Sequence, residues 1–216
     1  MIRRSLMSVA VAMVVSLAVA GYVLTPQVLA SADEADADRL HRAILQFVTD
    51  HNPEAPIEVF QEFPETLLAE AVETGIDHCI ALAQAQVESK FRHDAVGTSG
   101  EIGLYQILPS TAAFLEKQLG TFRRPVLARG KRDLGDLADP AVSTRYAMAY
   151  LRDIMTRKPG LREALTEYNG GPTGRRPEYY RTVMTAYVEM LDRGELGCRY
   201  QATPRRPAVM ALLTGV

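Results

Sequence analysis

A mainly α-helical fold, with at most one small β-hairpin between Thr98 and Tyr105, is what the sequence predicts, on three observations. Apolar residues return every three or four positions in segment after segment, the period of a half-buried helix. Proline and aspartate stand where such segments begin and glycine where they stop. No strand-rich region, internal repeat or heptad array interrupts the pattern.

Taken in order, the segment from Asp33 to about Asn52 begins charged and becomes amphipathic through Leu40, Ile44, Phe47 and Val48. "NPEAPIEVFQEFP" carries three prolines and reads as an extended linker. Pro64 opens the next helix and Gly75 stops it. Asp77 caps a helix running through Cys79, Ile80, Ala83, Val87 and Phe91. "RHDAVGTSGEIG" is a glycine-rich loop or small hairpin, and Ser110 starts a helix that ends at Gly120. "TFRRPVLARGKRDLGD" is a basic connector, read as a solvated loop with no assigned role. Asp139 and Pro140 begin a long helix with Val142, Tyr146, Ala149, Tyr150 and Ile154 on one side. A short helix reaches Tyr168, "NGGPTG" turns the chain, and Pro177 opens a last helix that Gly194 stops.

The 216 residues suffice for one domain with a core and appendages. A net charge of -2 excludes the basic footprint of a nucleic-acid binder. Arg3 and Arg4 precede an uncharged, largely apolar run, and Val28-Leu29-Ala30 or Ala30-Ser31-Ala32 fits a signal-peptidase site. Residues 1–32 therefore read as an export signal or, since the run approaches spanning length, an N-terminal membrane anchor. Both readings carry the remainder across the cytoplasmic membrane, to the periplasm or cell envelope. Residues 33–63 form a helix and Pro-rich linker, 64–198 the chemistry-bearing domain and 199–216 a tail. In an oxidising compartment Cys79 and Cys198 can pair, or they are two unrelated buried residues; both stay open.

Several chemistries are missing at the level of motif. His41, His51, His78 and His93 form no HExxH, two distant cysteines make no zinc knuckle, and neither a GxSxG elbow nor a GxxxxGK phosphate loop occurs. No metal or cofactor is expected. Carboxylates remain. Glu88 falls beside an Ala-rich apolar stripe near the end of its helix, just before the glycine loop. Burial there and the negative end of the helix dipole both favour the protonated acid, as a glycosidase requires.

The segments "ESKFRHDAVGTSGEIGLYQILPSTA", "DLADPAVSTRYAMAYL" and "EYNGG" stand in that order. From about Leu67 to Tyr187 the chain resembles the soluble lytic transglycosylases of the lysozyme-like superfamily, related to goose-type lysozymes. Their pattern is an E-S pair at a helix end, then G-L-M-Q-x-x-P-x-T-A, a D-P helix ending in Y-L, and an A-Y-N-A-G turn.

The resemblance implies a lysozyme-like (α+β) domain, a helical bundle with a small hairpin beside a catalytic cleft. It implies Glu88 as the catalytic acid and Ser89, Gly103, Leu104, Tyr105, Gln106, Tyr168 and Asn169 as substrate-binding residues, with the Tyr168 hydroxyl near the acid. The expected partner is peptidoglycan glycan, cut at the β-1,4 MurNAc–GlcNAc bond to leave 1,6-anhydro-MurNAc ends. Departures from the pattern are Tyr105 for methionine, Gly97 where many relatives carry serine, and the extra carboxylates Glu101 and Glu167. Glu101 keeps open a hydrolytic muramidase, whose second carboxylate would activate water from about 6.5–9.5 Å away. A non-catalytic peptidoglycan-binding or assembly protein is the other alternative.

Overall fold

The computed structural model describes residues 26–128, 131–172 and 176–199. The chain divides into two compact units, residues 1–35 and 36–216. Described residues of the first belong to the start of helix α1 (Pro26–His51). Residues 1–25, which carry most of the export-signal reading, lie outside the described part, as does the tail from residue 200.

The second unit is helical: α2 (Phe63–Thr74), α3 (His78–Ser89), α4 (Pro109–Leu119), α5 (Pro140–Arg157), α6 (Leu161–Gly170) and α7 (Glu178–Leu191). Their ends follow the local chemistry. Pro64 lies in the first turn of α2, and Gly75, at φ 71°, closes it with its N–H on the Ala71 carbonyl. Asp77 accepts the Cys79 N–H to cap α3, and Asp139 accepts the Val142 N–H to cap α5. The segment read as a linker is instead packed: a 3₁₀ turn (Ile57–Phe60) drives Phe60 into the core, where its ring meets Phe63 edge-on at 5.8 Å.

Helix α3 is the centre of the unit. Every residue from Cys79 to Ala85 is buried, so the helix is enclosed all round rather than amphipathic. Its alanines let neighbouring helices approach closely; α7 packs along it and α2 also touches it, while α2 packs mainly on α5. Both ends of α3 are tied. At the start, Cys79 is bonded to Cys198, with Cα atoms 5.6 Å apart, and Asp77 also accepts the Tyr187 hydroxyl and the Arg199 N–H. At the end, the Ser89 hydroxyl donates to the Leu104 carbonyl at 2.9 Å.

The hairpin expected between Thr98 and Tyr105 is not formed by paired strands. That loop holds two isolated antiparallel bridges, Val96↔Ile102 and Ile102↔Ile107, which share the buried Ile102. Positive φ at Gly100, Gly103 and Gln106 turns the chain too often for a ladder to extend. A two-stranded antiparallel ribbon lies instead in the basic connector, β1 (Val126–Ala128) on β2 (Lys131–Asp133). Arg123 there pairs with Asp133 and Asp136, bracing the connector, and Arg124 pairs with Glu116, tying the connector to α4.

Candidate active site

Glu88 is the penultimate residue of α3 and half-buried. It lines a cleft of about 450 Å³ together with Glu101, Gln106, Tyr168, Asn169 and Arg176. The backbone around it is unusual. Lys90 (φ 53°), Phe91 (φ 57°) and Gln106 (φ 49°) are the non-glycine residues with positive φ among the described ones, and all adjoin the cleft or its helix end. Such conformations cost about 1–2 kcal/mol each and persist where neighbours enforce them. Phe91 is fully buried, its ring meets Phe47 edge-on at 5.7 Å, and its carbonyl accepts the Asn52 side-chain N–H at 3.1 Å. Gln106 donates from Nε2 to the Gly103 carbonyl at 2.9 Å.

Burial is the largest influence on Glu88 and pushes its pKa up. Hydrogen bonds from the Tyr179 hydroxyl and the Asn169 amide oppose it, the latter long at 3.4 Å. Glu101 adds a smaller upward push, and Arg176 a smaller downward one. The outcome is a carboxyl that holds its proton above the ordinary carboxylate range while two donors fix its direction. That is the condition for a general acid.

Tyr179 is the participant that sequence reading misses. It stands in the first turn of α7, nearly buried, between Gln84 and Glu88; Gln84 Nε2 donates to its hydroxyl at 3.4 Å. Burial raises its own pKa far above that of a free phenol, so it stays a donor. Tyr168 was expected to bring its hydroxyl to the acid. Its ring lines the cleft and lies parallel to the Tyr179 ring at 6.5 Å; burial and then the nearby Glu88 charge raise the pKa of its hydroxyl, which donates its hydrogen bond to the Tyr105 carbonyl at 3.2 Å rather than to the acid.

The other expected substrate contacts divide in two. Gln106 and Asn169 face the cleft with Glu88. Ser89, Leu104 and Tyr105 are buried and Gly103 is enclosed, and none of the four lines the cleft. Ser89 joins α3 to the loop. Leu104 fills the core, and Tyr105 turns its ring inward and offers only its carbonyl. Gly103, at φ 78°, presses so closely on the Leu137 carbonyl that a β-carbon would overlap it. Glu101 is in the cleft, its Oε2 accepting the Ser99 N–H at 2.9 Å. Glu167 is not: it is 2% exposed and paired with Arg157 and with Lys158, at 2.7 Å for the latter. Burial would raise its pKa, but the two cations outweigh that and hold it below the usual value.

A larger groove of about 580 Å³ lies between α3 and α7, lined by Lys90, Arg181 and Glu189 among others, and shares no residue with the cleft. The close group Asp77, His78 and Cys79 has its sulfur committed to Cys198.

No curated protein sequence matches the chain. Among solved structures it is similar to an inactive mutant of the lytic transglycosylase Slt from Pseudomonas aeruginosa, at 21% identity and a TM-score of 0.49. That likeness covers 78% of this chain but only 30% of the Pseudomonas protein. Residues 65–183, more than half of the chain, match the family model described as the Transglycosylase SLT domain, and the chain belongs to that family.

Proposed function

We propose that the domain is a peptidoglycan lytic transglycosylase that cleaves the MurNAc–GlcNAc bond and leaves a 1,6-anhydro-MurNAc end, with Glu88 as acid and then base. The observation that carries this reading is the half-buried Glu88 carboxyl, raised in pKa and held by Tyr179 and Asn169 in a cleft of the family's domain.

In the first step the Glu88 O–H protonates the glycosidic oxygen as the C1–O bond breaks, and GlcNAc departs as an alcohol. The acetamide oxygen of the same MurNAc supports the electron-poor C1, an exception to the two-carboxylate scheme. In the second step the Glu88 carboxylate takes the proton of the C6 hydroxyl, and O6 closes on C1. The proton lost in the first step is regained in the second, and no water is consumed. A raised pKa serves both halves: the group is protonated at the start and basic enough to recover its proton.

The substrate assigns the domain to the cell envelope, in keeping with the apolar N-terminal run and the Cys79–Cys198 bond. Product masses from purified sacculi test the reading. Anhydro-muropeptides made by the wild type, and lost by a factor of about 10² or more in a folded Glu88→Gln variant, are expected. Products one water heavier would assign a hydrolytic muramidase, and equal activity in Glu88→Gln would remove the catalytic role.

A further inference from the structure

Gly97 forms part of the cleft wall, yet its φ lies outside the left-handed range, so backbone freedom does not explain a glycine there. Crowding does. A β-carbon at Gly97 would overlap Glu101 Oε2 and lie 2.7 Å from Gln106 Oε1. Both oxygens have fixed directions. Gln106 Nε2 points at the Gly103 and Ala95 carbonyls, at 2.9 and 3.4 Å, which turns Oε1 the other way, toward Gly97. Glu101 Oε2 is held by the Ser99 N–H, and the Glu101 carbonyl accepts the Gly97 N–H at 2.8 Å, so the short loop is closed on itself. Two acceptor oxygens, one of them a carboxylate's, therefore converge over a bare glycine in the wall that also holds Glu88.

Converging acceptors suit a ligand that brings a donor. We propose that Glu101 and Gln106 form an acceptor pair for the acetamido N–H of an N-acetylhexosamine, making Glu101 a specificity and positioning residue rather than a base for water. This rests on the function proposed above and names a contact to its substrate. A carboxylate accepting from an amide N–H forms a charge-assisted bond, shorter and stronger than a neutral one. It also draws positive character onto the amide nitrogen and leaves the carbonyl oxygen more electron-rich. That oxygen is the group asked to support C1 when the glycosidic bond breaks, so one contact both selects the acetamide and aligns it. A side chain at position 97 would push the Glu101 carboxylate aside.

The test uses Glu88→Gln, which cannot turn over its ligand, titrated by NMR with N-acetylchitotetraose and with cellotetraose, which carries hydroxyls in place of the acetamides. The parent is expected to prefer the N-acetylated chain. Adding Glu101→Ala should reduce that preference roughly tenfold or more, the scale of a hydrogen bond to a charged group. Glu101→Gln, which keeps an acceptor, should lose less. Gly97→Ala, which leaves Glu101 in the chain but displaces it, should reproduce the Glu101→Ala loss and guards against misfolding of either variant. An unchanged preference in Glu101→Ala and Gly97→Ala overturns the proposal, as does a parent with no preference. If Glu101→Ala in the otherwise native chain abolishes turnover while the preference persists, Glu101 is a base and the proposal also fails. Failure of the broader reading looks different: Glu88→Gln would remain active whatever the binding ratios.

Discussion

Removing Glu167 and removing its partners should have unequal costs, although both break the Glu167 ion pairs; Arg157→Ala also gives up a more exposed pair with Asp153. Glu167 is 2% exposed, whereas the Arg157 and Lys158 side chains are 45% and 29% exposed. In Glu167→Gln the two cations regain water, and the loss is limited to charge-assisted hydrogen bonds less the desolvation recovered, about 1–2 kcal/mol. In the double variant Arg157→Ala, Lys158→Ala a carboxylate is left enclosed without a counter-charge, which costs about 3–5 kcal/mol. The pH dependence reverses as well. The native Glu167 pKa is lowered, so its stabilisation is present above the unfolded carboxyl value of about 4.3 and is lost as pH falls through the folded one. Without its cations, burial alone acts and raises the pKa, so acidification through that range should stabilise the double variant. Urea denaturation at pH 7 and pH 4 measures both effects. Equal losses at pH 7, or a double variant that weakens on acidification as the wild type does, would refute the reasoning.

Three other variants test the site and its supports. Tyr179→Phe removes a donor that lowers the Glu88 pKa, so the alkaline limb of kcat/KM, where the acid loses its proton, should move to higher pH while the rate falls; a limb that stays in place contradicts the contact. Gly103→Ala combines a left-handed φ with overlap on the Leu137 carbonyl and should cost about 2 kcal/mol or more by denaturant titration. Cys79→Ser with Cys198→Ser opens a tie between residues 119 apart and should lower stability by about 2–5 kcal/mol, against a near-zero change if the tie is redundant with the Asp77 contacts.

The helices were legible because their ends are written in local chemistry. Pro64, Asp77 and Asp139 act within a turn of where they stand, and their partners are two or three residues away. Glu88 was legible by motif and by its place at a helix end. The ribbon from Val126 to Asp133 was not, since it lies in a basic, Gly-containing segment without apolar alternation and is framed by ion pairs such as Arg123–Asp133. Tyr179 was hidden for a different reason. It is four residues before Val183 on the buried stripe of α7, where a tyrosine reads as core, and its partners Gln84 and Glu88 are more than ninety residues away. The one available signal was that a buried tyrosine hydroxyl needs a partner. Ser89 and Tyr105 show the converse: residues inside a motif can hold the cleft's frame without facing it.

The left-handed residues after Glu88 also bear on how this domain can be altered. Lys90 is exposed at the rim of the groove between α3 and α7, so glycine there would relieve conformational cost without breaking a side-chain hydrogen bond or ion pair. Phe91 and Gln106 cannot be relieved that way, because a ring in the core and an amide in the cleft wall depend on those same dihedrals. Selection for heat resistance would therefore find an open route at position 90 and closed ones at 91 and 106, and what separates them is whether the side chain has a second task.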